Sequence, residues 1–440
     1  MLSMLFLTLT LEEFKNIVVD CVVQGGVTLR AAGSERFKKF VVALTHGYEP
    51  LSTRTILRRI FELHRVFKPA LAAFLCNQTV AISLNLDGLS NQNLKGFYVV
   101  TAHWVNVVTM KTKIILLTIL DVKCGAGVGV RVGTDLFEYL KRMAEINNGT
   151  NVTNAVVRLF KLVNIFVGYE QVRKCNHVRC ADHFVQLAVL QALKLIRQST
   201  EQLRDGLVKM RRSKVIRQQY RIEALRSGLS STEPTHDDIS HCAFKDSECK
   251  VIASVSNFLC APRQVMESLA ADSKPTLNFV SLSIAILIKH CNDNEQKLQE
   301  IHNALTAIFM KMKLQSYEQK LVQKPTIIAA YLNPQIPKPT DTSELMVVIE
   351  IVRNSGMGDD VDQYLLTSVV HALDFIDVLS WWSAWKDALP GHYQMAMDYL
   401  GTPATSTPSE RVYSATGREF TCMRQSLPSS VFIMVMCLRL

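Results

Sequence analysis

The sequence predicts a mixed α+β fold in which a short set of strands lies between helical ends. Three observations carry this. Residues 81–122 hold three β-favouring runs at close spacing, whereas the stretches on either side repeat their apolar residues at helical intervals. Apolar residues make up 48% of the 440 and charged residues 20%, a globular composition long enough for two or three cores. No apolar stretch reaches the length needed to cross a bilayer, so no membrane partner is expected.

The first residues, Met1 to Leu11, are apolar but meet Glu12 and Glu13 with no basic residue before them, unlike a secretory signal. Phe14, Ile17, Val18 and Cys21 then recur at helical spacing. Ser34 opens a second run through Phe37, Phe40, Val41 and Leu44, and Ser52 can cap a third helix carrying Ile56, Ile60 and Leu63. Ala81 to Leu86 is a β-favouring run that ends at Asp87. Gly96 to Val105 alternates, and Ile114 to Val122 is almost wholly apolar, which together predict an antiparallel meander. Gly125, Gly127 and Gly129 have the wrong spacing for a dinucleotide loop and no Lys-Ser/Thr after them, so they are read as a turn. Helices are expected at Leu136–Met143, Asn151–Val163 and His183–Leu195, as two long ones over 249–320, and again from Ser343. Pro325 to Pro339 reads as a linker or irregular crossing.

Charge and cysteine bound the partners. Lys plus Arg number 49 against 39 acids, a net +10, which suits a polyanion but also a merely soluble basic protein. Ten basic and three acidic residues fall between Lys194 and Arg226. Lys209, Arg211, Arg212, Lys214, Arg217 and Arg221 are expected to track a DNA phosphate backbone, with a solvated helix face as the plainer alternative. Eleven scattered cysteines with no C-x-x-C pair point to free thiols inside the cell. Cys175, His177, Cys180 and His183 offer four ligands in nine residues, but zinc is not expected, because such sites usually pair ligands across two elements. Cys180 and His183 are read instead as packing residues.

The run Met397-Asp-Tyr-Leu-Gly-Thr-Pro-Ala-Thr-Ser-Thr-Pro-Ser-Glu-Arg-Val-Tyr-Ser-Ala-Thr-Gly417 resembles the C-terminal dimerisation region of hAT transposases. The likeness rests on Ala404, Thr405, Ser406, Ser409, Glu410, Arg411, Tyr413, Ser414 and Gly417, with the Trp381-Trp382 pair upstream. Weaker likenesses extend it: Leu86-Asp-Gly-Leu-Ser is similar to the family's D-x-W-T-S strand end, with Leu89 in place of the tryptophan. Cys180-Ala-Asp-His183 is similar to its C-x-x-H helix.

The resemblance implies a ribonuclease-H-like core with a large all-helical insertion and helical N- and C-terminal segments. Its parts would be a helical segment at 1–75, the first part of the core at 76–195, the insertion at 196–345, and a dimerisation region at 346–440 that completes the core. The family's chemistry uses three carboxylates on two Mg²⁺ ions, which prefer hard anionic oxygen. Asp87 takes the first position and Glu410 the third, and these two would be the metal ligands. The second falls on Asn147, a neutral amide, and the strand that should present it looks deleted. The core is therefore read as damaged and inactive, with no cofactor needed. Residues 184–380 also lack the tryptophan that the family uses at DNA ends, and residues 1–80 show no zinc-finger spacing.

The resemblance further implies a nuclear protein that pairs with itself and with DNA and takes no small-molecule substrate. Trp381, Trp382, Tyr399, Leu400, Ser409 and Arg411 are the expected dimerisation residues. Two alternatives stand beside this. One is an active Mg²⁺-dependent transposase with Asp121 or Asp135 in the lost position. The other is a product without function.

Overall fold

The computed structural model describes residues 10–24, 27–45, 49–90, 96–122, 128–146, 162–164, 176–194, 201, 204–205, 208, 246–299, 304–337, 346–350, 361–365, 377–417 and 429–439. Among the described residues, four helices come first: α1 (Leu11–Val23), α2 (Leu29–Ala32), α3 (Glu35–Thr45) and α4 (Thr53–Cys76). Their starts are set by side-chain oxygens that accept otherwise unpaired backbone N–H groups. Ser34 Oγ accepts from Phe37 N at 3.2 Å, and Ser52 Oγ accepts from Thr55 N at 3.1 Å. Thr10 and Glu13 form a reciprocal box, Thr10 Oγ1 accepting from Glu13 N and Glu13 Oε2 accepting from Thr10 N.

The meander follows as expected. β1 (Ser83–Ser90), β2 (Gly96–Asn106) and β3 (Lys111–Val122) pair antiparallel in sequence order. Two short strands, β4 (Leu162–Asn164) and β5 (Asn176–His177), add parallel to the far edge of β1, giving the order β3-β2-β1-β4-β5. β4 corrects two expectations. Residues 162 and 163 are strand, not the end of a helix, and the place beside β1 is filled by a short strand, not left by a deletion. The open ladder edge of β1 supplies backbone partners that no local periodicity records.

The helices also differ in detail. α5 (Val128–Ile146) begins inside the glycine run and takes Gly129 into its first turn, where a plain turn was expected. α6 spans Ala181–Leu193. The two long helices expected over 249–320 are four: α7 (Asp246–Phe258), α8 (Cys260–Leu269), α9 (Val280–Gln299) and α10 (Ala304–Leu321). The main break lies at Ala270–Thr276, where Pro275 has no N–H to continue a helix. α11 (Lys324–Tyr331) lies in the expected proline-rich crossing. Pro325 sits in its first turn, where the missing N–H costs nothing. The chain closes with α12 (Val361–Leu365), α13 (Val378–Ala384), α14 (Pro390–Tyr399), α15 (Thr407–Gly417) and α16 (Ser429–Arg439).

The two sheet faces bury different sets. Val100, Ala102 and Trp104 of β2 join Leu84, Leu117 and Leu120 in the main core, with Leu136 and Leu140 of α5 and the helices of 258–332. Phe97 and Val99 face the other way and pack with Val412 of α15 and Phe432, Met436 and Cys437 of α16. The opposite side of α16, at Val431 and Val435, packs on Phe14, Val18, Ile56 and Ile60 of α1 and α4. The terminal helix is apolar nearly all round because it is clasped between the sheet and the N-terminal helices.

An acidic cleft where the C-terminal motif meets the first strand

Asp87 lies on β1 opposite Val99, and cross-strand partners share a face, so its side chain stands on the side covered by α15. α15 is held there by buried polar contacts. Asn85 Nδ2 donates to the Thr405 carbonyl at 3.0 Å. The hydroxyls of Thr101 and Ser409 meet at 3.1 Å, both fully buried. Gly401 lies so close to β2 that a Cβ there would stand 3.0 Å from the Trp104 carbonyl carbon and the Val105 nitrogen. Behind it, the buried Asp398 accepts from Ala81 N at 2.7 Å. The segment 398–410 is therefore bonded along the base and face of the sheet.

These contacts bring Asp87 and Glu410 to one cleft of about 500 Å³, lined also by Leu86, Cys180, Asp182, His183, Ser406 and Thr407. Ser406 Oγ donates to Glu410 Oε1 at 3.1 Å, and the Ser406 N–H donates to Cys180 Sγ at 3.3 Å. Thr407 Oγ1 donates to Asp182 Oδ2 at 3.0 Å, while Asp182 Oδ1 is buried and makes no hydrogen bond among the described residues.

The electrostatics follow from burial. Desolvation pushes the Asp87 carboxyl up to about 6, helped by the nearby Glu410 charge and opposed by the Gly88 N–H. Asp182 also rises to about 6, again chiefly through burial, with Thr407 opposing and Glu410 adding. Burial raises the Cys180 thiol as well. The cleft thus concentrates acid groups that resist being charged together.

Asp182 was missed in the sequence, where it sits unremarked between the cysteine and histidine of the C-x-x-H string. The available signal was its place in the first turn of α6, a position that favours a carboxylate. Of the residues expected to matter, Asp87, Glu410, Cys180 and His183 all line this cleft. Asp121, offered as a replacement carboxylate, lies on β3, two strands from β1, and Asp135 is exposed on α5. Asn147 and the basic residues Lys209, Arg211, Arg212, Lys214, Arg217 and Arg221 lie outside the described residues.

Residues 360–440 match the model of the hAT family C-terminal dimerisation region. The chain carries a hAT dimerisation region. No curated protein matches the chain. The matched model describes a dimerisation region, and residues 360–440 contain α12 to α16, including Glu410. No helix among the described residues is long and apolar enough to cross a membrane.

The expected dimerisation residues stand largely inside the chain. Trp382 is fully buried and donates its Nε1–H to the Leu332 carbonyl at 2.8 Å. It packs against Tyr364 and Trp381, ring centroids 5.3 and 4.9 Å away. Leu400 and Ser409 are fully buried, and Trp381 and Tyr399 partly so. Arg411 is exposed and pairs with Asp272 in the loop after α8. Much of the aromatic surface that the sequence assigned to a partner packs within the chain. Trp382 meets the Leu332 carbonyl just past the end of α11 and the rings of Tyr364 and His392.

Proposed function

We propose that this chain is a transposase-derived protein that acts in the nucleus through self-association and sequence-independent DNA contact, with a ribonuclease-H-like core that no longer cuts DNA. The carrying observation is the sheet: three antiparallel strands followed by two parallel ones in the order β3-β2-β1-β4-β5, with Asp87 on the central strand and Glu410 brought beside it. That order and those directions support the ribonuclease-H-like reading.

Loss of cutting is argued from the donors. Among the described residues no group of three or more His, Cys, Asp or Glu side chains is placed to hold a metal ion. β4 ends at Asn164, an amide at the strand end where a second carboxylate belongs, and Asn147 is equally neutral. The described residues are not arranged as a two-Mg²⁺ site, and zinc is not proposed either.

One observation favours an active enzyme, and it is Asp182, a third carboxylate in the cleft. A nicking assay on supercoiled and linear DNA with Mg²⁺ or Mn²⁺ separates the readings. No strand breaks are expected. Metal-dependent nicking that is lost in Asp87→Ala and in Asp182→Ala would overturn the inactive reading. Sedimentation of the purified chain at micromolar concentration tests self-association, and a monomer would overturn it.

A further inference from the structure

We propose that the outer face of α4 is a nucleic-acid-binding surface, with Arg54, Arg58 and Arg65 on backbone phosphates and the Phe61 ring against an unpaired base. It builds on the proposed DNA contact but uses a site apart from residues 209–221. The four positions are four, three and four residues apart, so they form one stripe along the helix, about 16 Å long at 1.5 Å per residue. All four are exposed, and Phe61 keeps 54% of its surface open to solvent. Arg54 and Arg65 make no ion pair with any described residue, and Arg58 meets only Glu62, at 3.9 Å across an exposed pair. Glu62 is the one acid on a helix of 24 residues.

The rest of α4 makes this stripe a rigid one. Ile56, Ile60, Leu71 and Leu75 bury its inner face. Arg59, next to the stripe, donates from both terminal guanidinium nitrogens to Glu12 of α1, at 2.7 and 3.0 Å. Lys68 continues the line and lies 5.0 Å over the Tyr139 ring. Arginine on the three outward positions matters chemically, because its planar fork matches phosphate oxygens and is weakly hydrated. The exposed Phe61 ring lies among these guanidiniums, as a stacking platform on single strands needs. The same helix also exposes Leu63, Val66 and Phe74, but these lie off the line of Arg54, Arg58, Phe61 and Arg65, whose three guanidiniums and single ring fit nucleic acid better than the broad apolar face of a membrane-surface helix.

The test uses the full chain and a fluorescent single-stranded 20-mer, its duplex, and vesicles of phosphatidylserine and phosphatidylcholine, at about 50 and 200 mM salt. For the variant Arg54→Gln/Arg58→Gln/Arg65→Gln, single-strand affinity should fall at least about tenfold. The log–log salt slope should flatten by about 2, near 0.7 per phosphate contact. Phe61→Ala should cost about tenfold on the single strand and far less on the duplex. Thermal melts of each variant verify folding. Wild-type affinity and slope in the arginine variant would overturn the α4 surface. If neutralising Lys209, Arg211, Arg212, Lys214, Arg217 and Arg221 then abolished binding, the DNA reading would survive without it. A wild-type chain that binds neither strand nor duplex overturns both, and capture by vesicles alone replaces nucleic acid with a lipid surface.

Discussion

Asn85 of the central strand donates its side-chain N–H to the carbonyl of Thr405, at 3.0 Å and out of reach of water. This bond joins residues 320 positions apart and seats the hAT motif on β1, two residues from Asp87. Cleft geometry therefore depends on a buried amide that touches neither carboxylate.

Asn85→Ala should lower stability by about 1–3 kcal/mol, since it leaves a buried carbonyl unpaired. Asn85→Asp should be worse, because it sets a carboxylate against that carbonyl. Urea unfolding at neutral pH measures both, and equal or greater stability in the aspartate variant would contradict the donor role given to the amide.

Trp382→Ala should destabilise the folded chain by about 3–5 kcal/mol, the cost of emptying a fully buried indole site, to which the lost bond to Leu332 adds. The loss should show in the melting temperature first. A variant that melts like the wild type but no longer self-associates would mean that Trp382 faces a partner after all.

The cleft carboxylates set a pH dependence. Asp87 and Asp182 bind protons more tightly in the folded chain, at about 6 against an ordinary 3.8. Between those values the folded state holds more protons than the unfolded one, so their contribution to stability is largest below about 3.8. It falls as pH rises through the window and is flat above 6. Asp87→Asn and Asp182→Asn should each flatten that slope and raise the melting temperature at pH 7. A lower melting temperature there would argue that the charged forms are stabilised.

His103 works in the opposite sense. Burial holds it down to about 3 from an ordinary 6.5, beside the Thr101 hydroxyl at 2.9 Å. The unfolded chain takes up a proton on acidification that the folded chain refuses, so stability falls as pH drops from about 6.5 toward 3. His103→Gln removes this limb of the profile, whatever its cost at neutral pH. Because the aspartates slope the other way over part of this range, the single variants must be compared with each other.

The sequence by itself determined the local features. Ser34 and Ser52 announced helix starts, alternation announced the meander, and the run from Met397 to Gly417 announced the hAT region, because caps, pleats and short motifs are written in neighbouring residues. Only the tertiary structure decided what covers each apolar or acidic surface. Helical spacing marked the end of the chain as apolar without saying that α16 would lie between the sheet and α1 and α4. It marked the tryptophan pair without saying that the Leu332 carbonyl, just past α11, would receive Trp382. β4 was illegible because a three-residue parallel strand has no periodicity, only an available edge on β1. Asp182 became notable only when Thr407 and Glu410 arrived beside it from more than 220 residues away. Such contacts depend on long-range chain closure and shared burial, which residue spacing does not encode.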